Sequence, residues 1–215
     1  MKKIAIIGAG GFGREVHMLI EQINKVDAKF EFVGYFDDGI EKGALINGFP
    51  ILGTTADINE VDYKLGIVSA IGEPSIKEDL LNSINNPLID YPILIHPSAF
   101  IGNRDFVQIG EGSIITAGVI ITININIGKH VILNLATTIG HDTSIGNYSS
   151  FMPNTNISGE VIINKCVYVG TGAKIINQLE IGEYSIIGAG AVVAKSLPAN
   201  CTAVGIPAKV IKKNK

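Results

Sequence analysis

The sequence predicts a small α/β unit followed by an all-β parallel helix of short strands. Residues 109–198 divide into fifteen consecutive six-residue blocks without an insertion, and every block begins with an aliphatic residue or, once, with Phe151. The fifth residue of each block is never charged, and in twelve blocks it is Ser, Thr, Ala or Val. Residues 1–93 instead alternate short apolar runs with segments of helical spacing.

The six-residue period defines the second unit. A helix repeats its apolar residues about every 3.6 positions and a strand every 2, so a sustained period of six indicates a repeat architecture. Strands joined by corners, with one bulky and one small inward residue per side, would stack into a prism with neighbours about 4.8 Å apart. Seven blocks carry Gly at their second position, where we expect a corner to need permissive backbone angles.

The first unit has the pattern of alternating strands and helices. Apolar runs predict strands over residues 3–7, 32–36, 65–71 and 93–95, and helical spacing predicts helices over residues 14–24 and 74–84. A glycine-rich turn over residues 8–13 joins the first strand to the first helix. Strands that alternate with helices indicate a small parallel sheet, and we expect the boundary with the prism near Tyr91 and Pro92.

Composition narrows the class of protein. The 215 residues are 47% hydrophobic but only 7% aromatic, without Trp, which suits a thin aliphatic core. A net charge of −3 favours neither nucleic acid nor an anionic membrane as a partner. No apolar run reaches the roughly eighteen residues of a membrane span, so we expect a cytoplasmic protein. Cys166 and Cys201 have no metal-like spacing and are expected to be reduced thiols.

The glycine turn matches G-x-G-x-x-G. Such a turn lets backbone N–H groups approach a diphosphate at a helix N-terminus, but it also occurs as a tight turn that binds nothing. Asp37 and Asp38 end the second strand, where a doubly wound sheet makes ribose or base contacts, and they favour a nucleotide site. A nicotinamide dehydrogenase is disfavoured because a β-prism, not a catalytic domain, comes after fewer than 100 residues.

Of the four histidines, His141 is the candidate for chemistry. It occupies the third, outward position of its block and precedes Asp142, a carboxylate that would orient the ring. The alternative is an ordinary surface histidine on a turn. We expect His17 to be structural, either facing solvent or near the turn on the first helix, and His130 to lie in the prism wall.

Six motifs carry a resemblance to a known family. They are residues 6–16 (IIGAGGFGREV), 36–38 (FDD), 70–72 (AIG), 95–99 (IHPSA), 139–142 (IGHD) and 204–209 (VGIPAK). With them the chain resembles the sialic acid O-acetyltransferases and UDP-4-amino-sugar N-acetyltransferases. The resemblance implies a Rossmann-like nucleotide-sugar domain over residues 1–93, a left-handed β-helix over 94–198, and a segment near coenzyme A over 199–215. It also implies three blocks to a coil, so that residues 18 apart are neighbours. His141 would then lie between Ile123 and Gly159, with an open shelf at Gly159.

The resemblance also implies roles for individual residues. It makes His141 the general base, with Asp142 beside it. The positions implied to contact the nucleotide sugar are Gly11, Phe12, Gly13, Asp37, Asp38, Gly72 and Asn134. The positions implied to contact acetyl-CoA are Ser150, Gly159, Ala189 and Lys209. Some relatives have a polar residue where Phe12 stands and a second histidine where Ser150 stands.

The resemblance therefore implies acetyl transfer from acetyl-CoA to the amine of a nucleotide-linked amino sugar, with UDP favoured, in bacterial glycan biosynthesis. It also implies a homotrimer with active sites between subunits and no metal. An O-acetyltransferase acting on sialic acid or another sugar hydroxyl is the alternative. A non-catalytic β-helix and a γ-class carbonic anhydrase are weaker alternatives, the latter because it needs three histidines at one metal and the repeats contain only His130 and His141.

Overall fold

A computed structural model describes residues 1–214, and its first part is a six-stranded α/β sheet. The elements are β1 (Lys2–Ile7), α1 (Gly11–Val26), β2 (Phe30–Phe36), β3 (Leu45–Ile46), β4 (Phe49–Gly53), a 3₁₀ helix (Ala56–Glu60), β5 (Leu65–Ser69), α2 (Pro74–Asn82) and β6 (Ile89–Asp90). The strand order is β3-β4-β2-β1-β5-β6, parallel except for β3. The strand order reverses direction between β1 and β5, which is where open parallel sheets bind ligands.

Helices cover both faces of this sheet. The buried residues of α1, including Val16, Leu19, Ile20 and Ile23, recur at three- and four-residue spacing. They pack against Ile4, whereas α2 and the 3₁₀ helix cover the opposite face. The two helices predicted from spacing are therefore present, and α1 already begins within the glycine turn.

The remaining strands are mostly two residues long and wind around a prism. They are β7 (Leu94–Ile95), β8 (Phe100–Ile101), β9 (Val107–Ile109), β10 (Ile114–Ile115), β11 (Ile120–Ile121), β12 (Ile125–Ile127), β13 (Ile132–Leu133), β14 (Thr138–Ile139), β15 (Ser144–Ile145), β16 (Ser150–Phe151), β17 (Asn156–Ile157), β18 (Ile162–Ile163), β19 (Tyr168–Val169), β20 (Lys174–Ile175), β21 (Glu180–Ile181), β22 (Ile186–Ile187), β23 (Val192–Val193), β24 (Cys201–Val204) and β25 (Lys209–Lys213). A second 3₁₀ helix, Arg104–Phe106, lies in the first coil.

Three flat faces form the prism. The eight-stranded face is β25-β24-β22-β19-β16-β13-β10-β7, the six-stranded face is β23-β20-β17-β14-β11-β8, and the five-stranded face is β21-β18-β15-β12-β9. Between Val107 and Val193 the paired residues are 18 apart along the chain, as in Ile121 with Ile139 and Ile139 with Ile157. The strand predicted over residues 93–95 belongs to this prism and not to the α/β sheet, because Leu94 pairs with Ile114.

The block pattern correctly predicts which residues face inward. Every block-opening residue from Ile115 to Val193 is buried, and these side chains fill the prism core. The small fifth residues are also buried, with the exception of half-buried Leu179. Their hydroxyls bond to carbonyls at the corners; Thr137 Oγ1, for example, donates to Asn134 O over 2.6 Å.

The structure corrects the role expected for the second-position glycines. The left-handed residue of each block from Gly112 to Gly190 is the fourth one, with φ between 54° and 71°. A second-position glycine is instead required by close stacking: a Cβ on Gly140 would lie 2.6 Å from the backbone nitrogen of Gly159 in the next coil. Corners of successive coils therefore pack backbone to backbone.

The α/β sheet packs on the eight-stranded face of the prism. The buried side chains of α1 and the sheet residues under them form one apolar cluster, called here the α1 cluster. It also includes Leu94, Ile114 and Ile132 from the eight-stranded face. Helix α2 runs along one corner column, where Glu78 accepts hydrogen bonds from Cys166 and from Tyr184 (2.7 Å). Because β6 ends at Asp90 and β7 begins at Leu94, we keep residues 1–93, 94–198 and 199–215 as the proposed domains. Over residues 1–214, no helix is both long and apolar enough to cross a membrane.

Candidate active site

His141 and Asp142 lie at the corner between the six-stranded and five-stranded faces, between β14 and β15. The Nδ1 atom of His141 is 2.8 Å from Oδ2 of Asp142, and both side chains are about half exposed. Since an ionised carboxylate only accepts, this contact places a proton on Nδ1 and leaves Nε2 with a free lone pair. A ring arranged in this way can accept a proton from a nucleophile at the surface.

Asn124 holds the other oxygen of the carboxylate. Its Nδ2 atom donates to Oδ1 of Asp142 over 2.9 Å. The hydrogen bonds from Asn124 and from His141 lower the pKa of Asp142 below the usual value of an aspartate. Asp142 therefore stays ionised over the pH range in which a neutral imidazole acts as a base.

The stacking predicted around His141 is present in the structure. The backbone N–H of Asp142 donates to Ile123 O, and the N–H of Glu160 donates to His141 O. Gly159 is different from the expectation, because it is buried and not an open shelf. A Cβ added to Gly159 would lie 2.5 Å from both Cε1 and Nε2 of His141, so the imidazole ring itself lies over this glycine.

A second cluster of predicted residues meets at the carboxyl ends of β1, β2 and β5. The carboxylate of Asp37 accepts from the backbone N–H of Ala9 (2.8 Å) and of Gly39 (2.9 Å), which ties β2 to the glycine turn. A Cβ on Gly13 would collide with the carbonyl oxygen of Gly8, so α1 can start this close to β1 only with glycine. Gly10 is the N-cap residue before α1, so no side chain caps the helix, and the first turn has no acidic residue.

The space above this turn is open. No atom lies within 4 Å of a Cβ built on Gly11 or on Gly72. Backbone N–H groups at such a helix N-terminus attract phosphate oxygens. Phe12, in the first turn of α1, is half-buried and packs with the α1 cluster. Asp38 points away into a neighbouring loop, where its carboxylate accepts from the N–H of Thr55 over 2.7 Å.

The remaining predicted contacts lie elsewhere on the prism. Asn134 is almost buried at the corner between the eight-stranded and six-stranded faces, and its Oδ1 accepts from the N–H of Leu135 (2.7 Å). Ala189 is exposed on the same corner in the last coil. Lys209 is exposed on β25, next to β24 and therefore close to Ala189.

Ser150 is not at a surface that coenzyme A can reach. It is fully buried on the eight-stranded face, where its hydroxyl accepts from Nζ of Lys77 over 2.8 Å. An outward-facing position on the prism is buried here because α2 covers it. Ser150 is therefore no longer a candidate cofactor contact.

Two other histidines are structural. His17 is buried, contrary to the expectation, and its ring stacks on Phe32 with centroids 4.2 Å apart. His130 is buried at a prism corner and stacks on Tyr148. Burial lowers the pKa of His130 to about 4. Among the described residues, no group of three His, Cys, Asp or Glu side chains is placed to bind a metal ion.

One chain does not bring the two main clusters together. The α/β sheet with its glycine turn lies on the eight-stranded face, whereas His141 lies at the corner opposite that face. Stacking by 18 places Asn124 beside Asp142, so the sequence contains a signal for this contact. The partner of Lys77 depends on docking of α2, for which the sequence has no such signal.

Comparisons with known proteins agree with this architecture. The PglD N-terminal domain family matches residues 3–84. GDP-perosamine N-acetyltransferase of Escherichia coli O157:H7 is 33% identical over 220 residues, covering 100% of this chain and 98% of the relative. The acetyltransferase domain of PglB from Neisseria gonorrhoeae superposes with a TM-score of 0.87 at 30% identity, covering 98% of this chain and 100% of that domain.

A third relative was solved with ligands. PerB from Caulobacter crescentus, in complex with CoA and GDP-perosamine, superposes with a TM-score of 0.85 at 28% identity, covering 99% of this chain and 98% of that one. Together with the stacked parallel coils, these matches confirm the predicted α/β unit followed by a left-handed β-helix.

Proposed function

This chain belongs to the sugar N-acetyltransferase family that includes GDP-perosamine N-acetyltransferase, and we propose that it acetylates the amine of a nucleotide-linked amino sugar with His141 as the general base. The observation that carries the proposal is the exposed His141 ring, held 2.8 Å from Asp142 with Nε2 free. Acetyl-CoA supplies the activated thioester. The product would enter a bacterial glycan, as the resemblance implies.

In this mechanism the residues of the chain move one proton. Nε2 of His141 takes the proton from the sugar amine as the amine nitrogen attacks the thioester carbon. Asp142 stabilises the imidazolium that forms. When the carbon–sulfur bond breaks, the same proton is returned to the leaving sulfur, so that the imidazole is neutral for the next turnover.

The nucleotide sugar is proposed to bind at the glycine turn. The uncapped N-terminus of α1 favours the diphosphate, and Asp37 keeps the turn in place through Ala9. We propose Gly72 and Phe12 as further contacts of the nucleotide sugar. The resemblance alone assigns Asp38 to this site, because its carboxylate is held by Thr55. The resemblance favours UDP, and the GDP-perosamine enzyme among the relatives makes GDP an equal candidate.

Acetyl-CoA is proposed to lie along the surface that includes exposed Ala189 and Lys209, with its thioester at the His141 ring that covers Gly159. Since the glycine turn and His141 are on opposite sides of one chain, we propose that a homotrimer supplies both clusters to each active site. Co-expression tests this directly: chains carrying His141→Ala and chains carrying a glycine-turn variant, both inactive alone, should regain part of the activity when mixed. No recovery would contradict a shared site.

Two buried thiols support a reducing compartment. Cys166 and Cys201 are both free and buried in the structure. Free cysteines are retained in the cytosol and are disfavoured in oxidising compartments. We therefore propose the cytoplasm as the location, where acetyl-CoA is also present.

The proposed function is tested with a panel of substrates. Purified protein is incubated with acetyl-CoA and with GDP-, UDP- or dTDP-linked amino sugars, CMP-linked sialic acid or free sialic acid, and release of free thiol is measured. His141→Ala should abolish release with unchanged assembly and thermal stability. Turnover by that variant at the wild-type rate would contradict the general base, and a response only to CMP-linked or free sialic acid would overturn the nitrogen assignment.

A further inference from the structure

Asn124, in the coil before His141, donates a hydrogen bond from its side-chain amide to Asp142 over 2.9 Å. We propose that Asn124 is a positioning residue for acetyl transfer, holding the Asp142 carboxylate in the orientation that fixes the tautomer of His141. This inference rests on the proposed function, in which His141 is the base.

The geometry divides the two carboxylate oxygens between two partners. Oδ1 accepts from Asn124 and Oδ2 contacts Nδ1 of His141. Asp142 is exposed, so without a second partner its side chain would be free to turn toward water. Because a carboxylate only accepts, the Asn124 atom that faces it must be the amide nitrogen.

The residues stacked above and below Asp142 also favour a positioning role for Asn124. Fourth-position residues 18 apart form a column along one corner of the prism, and at this corner they are Asn124, Asp142, Glu160 and Gln178. The two central carboxylates therefore occupy successive coils, about 4.8 Å apart at the backbone. Each is held by an amide on its far side, because Nε2 of Gln178 donates to Glu160 over 3.2 Å.

Asn124 could be present only because of its backbone conformation, and this role can be distinguished from the contact of its side chain with Asp142. Its φ of 57° is left-handed, a conformation that asparagine adopts more readily than most residues. Asn154 has a φ of 60° at another corner without a carboxylate partner for its side chain among the hydrogen bonds of the described residues. Backbone conformation would thus explain the residue type, and only the contact to Asp142 would affect His141.

The test removes the side chain while the backbone keeps its freedom. Asn124→Gly deletes the amide and tolerates a positive φ. We expect kcat to fall by about tenfold with the KM values for acetyl-CoA and the nucleotide sugar unchanged, since a hydrogen bond to a charged group is lost. The ¹⁵N spectrum of the His141 ring should show loss of the Nδ1-protonated tautomer. Gln178→Gly is the matched control: Gln178 also has a positive φ, 61°, and its amide donates to Glu160. This substitution should change neither kcat nor the tautomer of His141.

An Asn124→Gly variant with the wild-type kcat and the wild-type tautomer of His141 would overturn the proposal. Asn124→Asp is a second variant, which keeps the shape and the left-handed backbone but replaces the donor by a repelling carboxylate, and it should lower kcat further. If the wild-type enzyme acetylates no amino sugar, the proposed function fails, whereas the ¹⁵N measurement needs no substrate and still decides the role of Asn124.

Discussion

Nζ of Lys77 lies 2.8 Å from Oγ of Ser150, and both residues are completely buried between α2 and the eight-stranded face of the prism. Burial lowers the pKa of Lys77 to about 7 against an ordinary value of 10.5, while Cys166 and Glu73 oppose the shift. His130 lies near enough for the lysine charge to lower its pKa as well. The contact between the two units therefore contains a lysine that loses its proton near neutral pH instead of near pH 10.5.

Lys77 should make stability depend on pH. Between pH about 7 and 10.5 the unfolded chain holds a proton that the folded chain has lost, so the free energy of unfolding rises with pH by up to about 1.4 kcal/mol per unit. Below pH about 7 both states are protonated and this contribution is flat. The double variant Lys77→Met, Ser150→Ala has no lysine at this position, so this rise in the free energy of unfolding should disappear. The free energy of unfolding of the variant minus that of the wild type should therefore decrease from pH 6 to pH 9.

Urea unfolding at pH 6, 7.5 and 9 measures that difference. Lys129→Met is the control, because Lys129 is an exposed lysine of the same prism and its ion pair is with Glu111. Its effect on the free energy of unfolding should be small and nearly independent of pH. A pH-independent difference for the Lys77 variant would show that the buried lysine stays charged.

Gly159→Ala should displace the imidazole of His141. The added methyl would lie 2.5 Å from Nε2, and an exposed ring moves more easily than the prism backbone. We expect kcat to fall by about tenfold or more, since misplacing the base removes part of the general-base contribution. The urea midpoint should change little. Ser158→Ala, at the adjacent exposed position, should retain wild-type kcat, and an active Gly159→Ala would mean that the ring position does not matter.

Asp142→Asn should slow acetyl transfer while the prism stays folded. Asparagine tolerates the φ of 57° at this corner, but an amide does not stabilise an imidazolium as a carboxylate does. A fall in kcat of about 10- to 100-fold is expected, smaller than for a buried dyad. Glu160→Gln, at the next carboxylate of the column with a φ of 58°, is the matched control. Equal effects of the two substitutions would point to surface charge in general.

Asp37→Asn should weaken binding of the nucleotide sugar. The amide can replace only one of the two oxygens that hold the N–H groups of Ala9 and Gly39. KM for the nucleotide sugar should rise severalfold to about tenfold, with kcat near the wild-type value. Asp57→Asn, which alters a carboxylate that holds Thr54 in a nearby loop, should leave KM unchanged. An unaltered KM in Asp37→Asn would mean that the turn does not need this carboxylate.

Contacts that depend on the repeat can be predicted from the sequence, whereas contacts that depend on docking of α2 cannot. A period of six, with the three blocks per coil that the resemblance implies, places His141 next to Ile123 and Gly159, because stacking follows from the repeat. Ser150 has an outward position in its block, but α2 covers it. Nothing local to Ser150 indicates this cover, since the helix lies about seventy residues earlier in the chain.

Two other differences between expectation and structure have the same kind of cause. Helical spacing alone leaves His17 outside the apolar stripe of α1 and so predicts it at the surface. It is buried because strand β2 and strand β4 present Phe32 and Phe49 to its ring. The second-position residues are glycine because a Cβ there would collide with the backbone of the next coil, not because of a backbone angle. The sequence around each glycine does not show how closely the next coil packs.

The fourth-position corner residues restrict how this fold can change its length. Tyr148, Cys166 and Tyr184, all in contact with α2, occupy one corner column at 18-residue spacing, whereas Asp142 and Glu160 occupy another. Gain or loss of six residues would rotate every later corner to a different face and separate α2 from its partners. Only whole coils can be added or removed, so length differences among homologues should occur in multiples of eighteen residues or as loops that protrude from a corner.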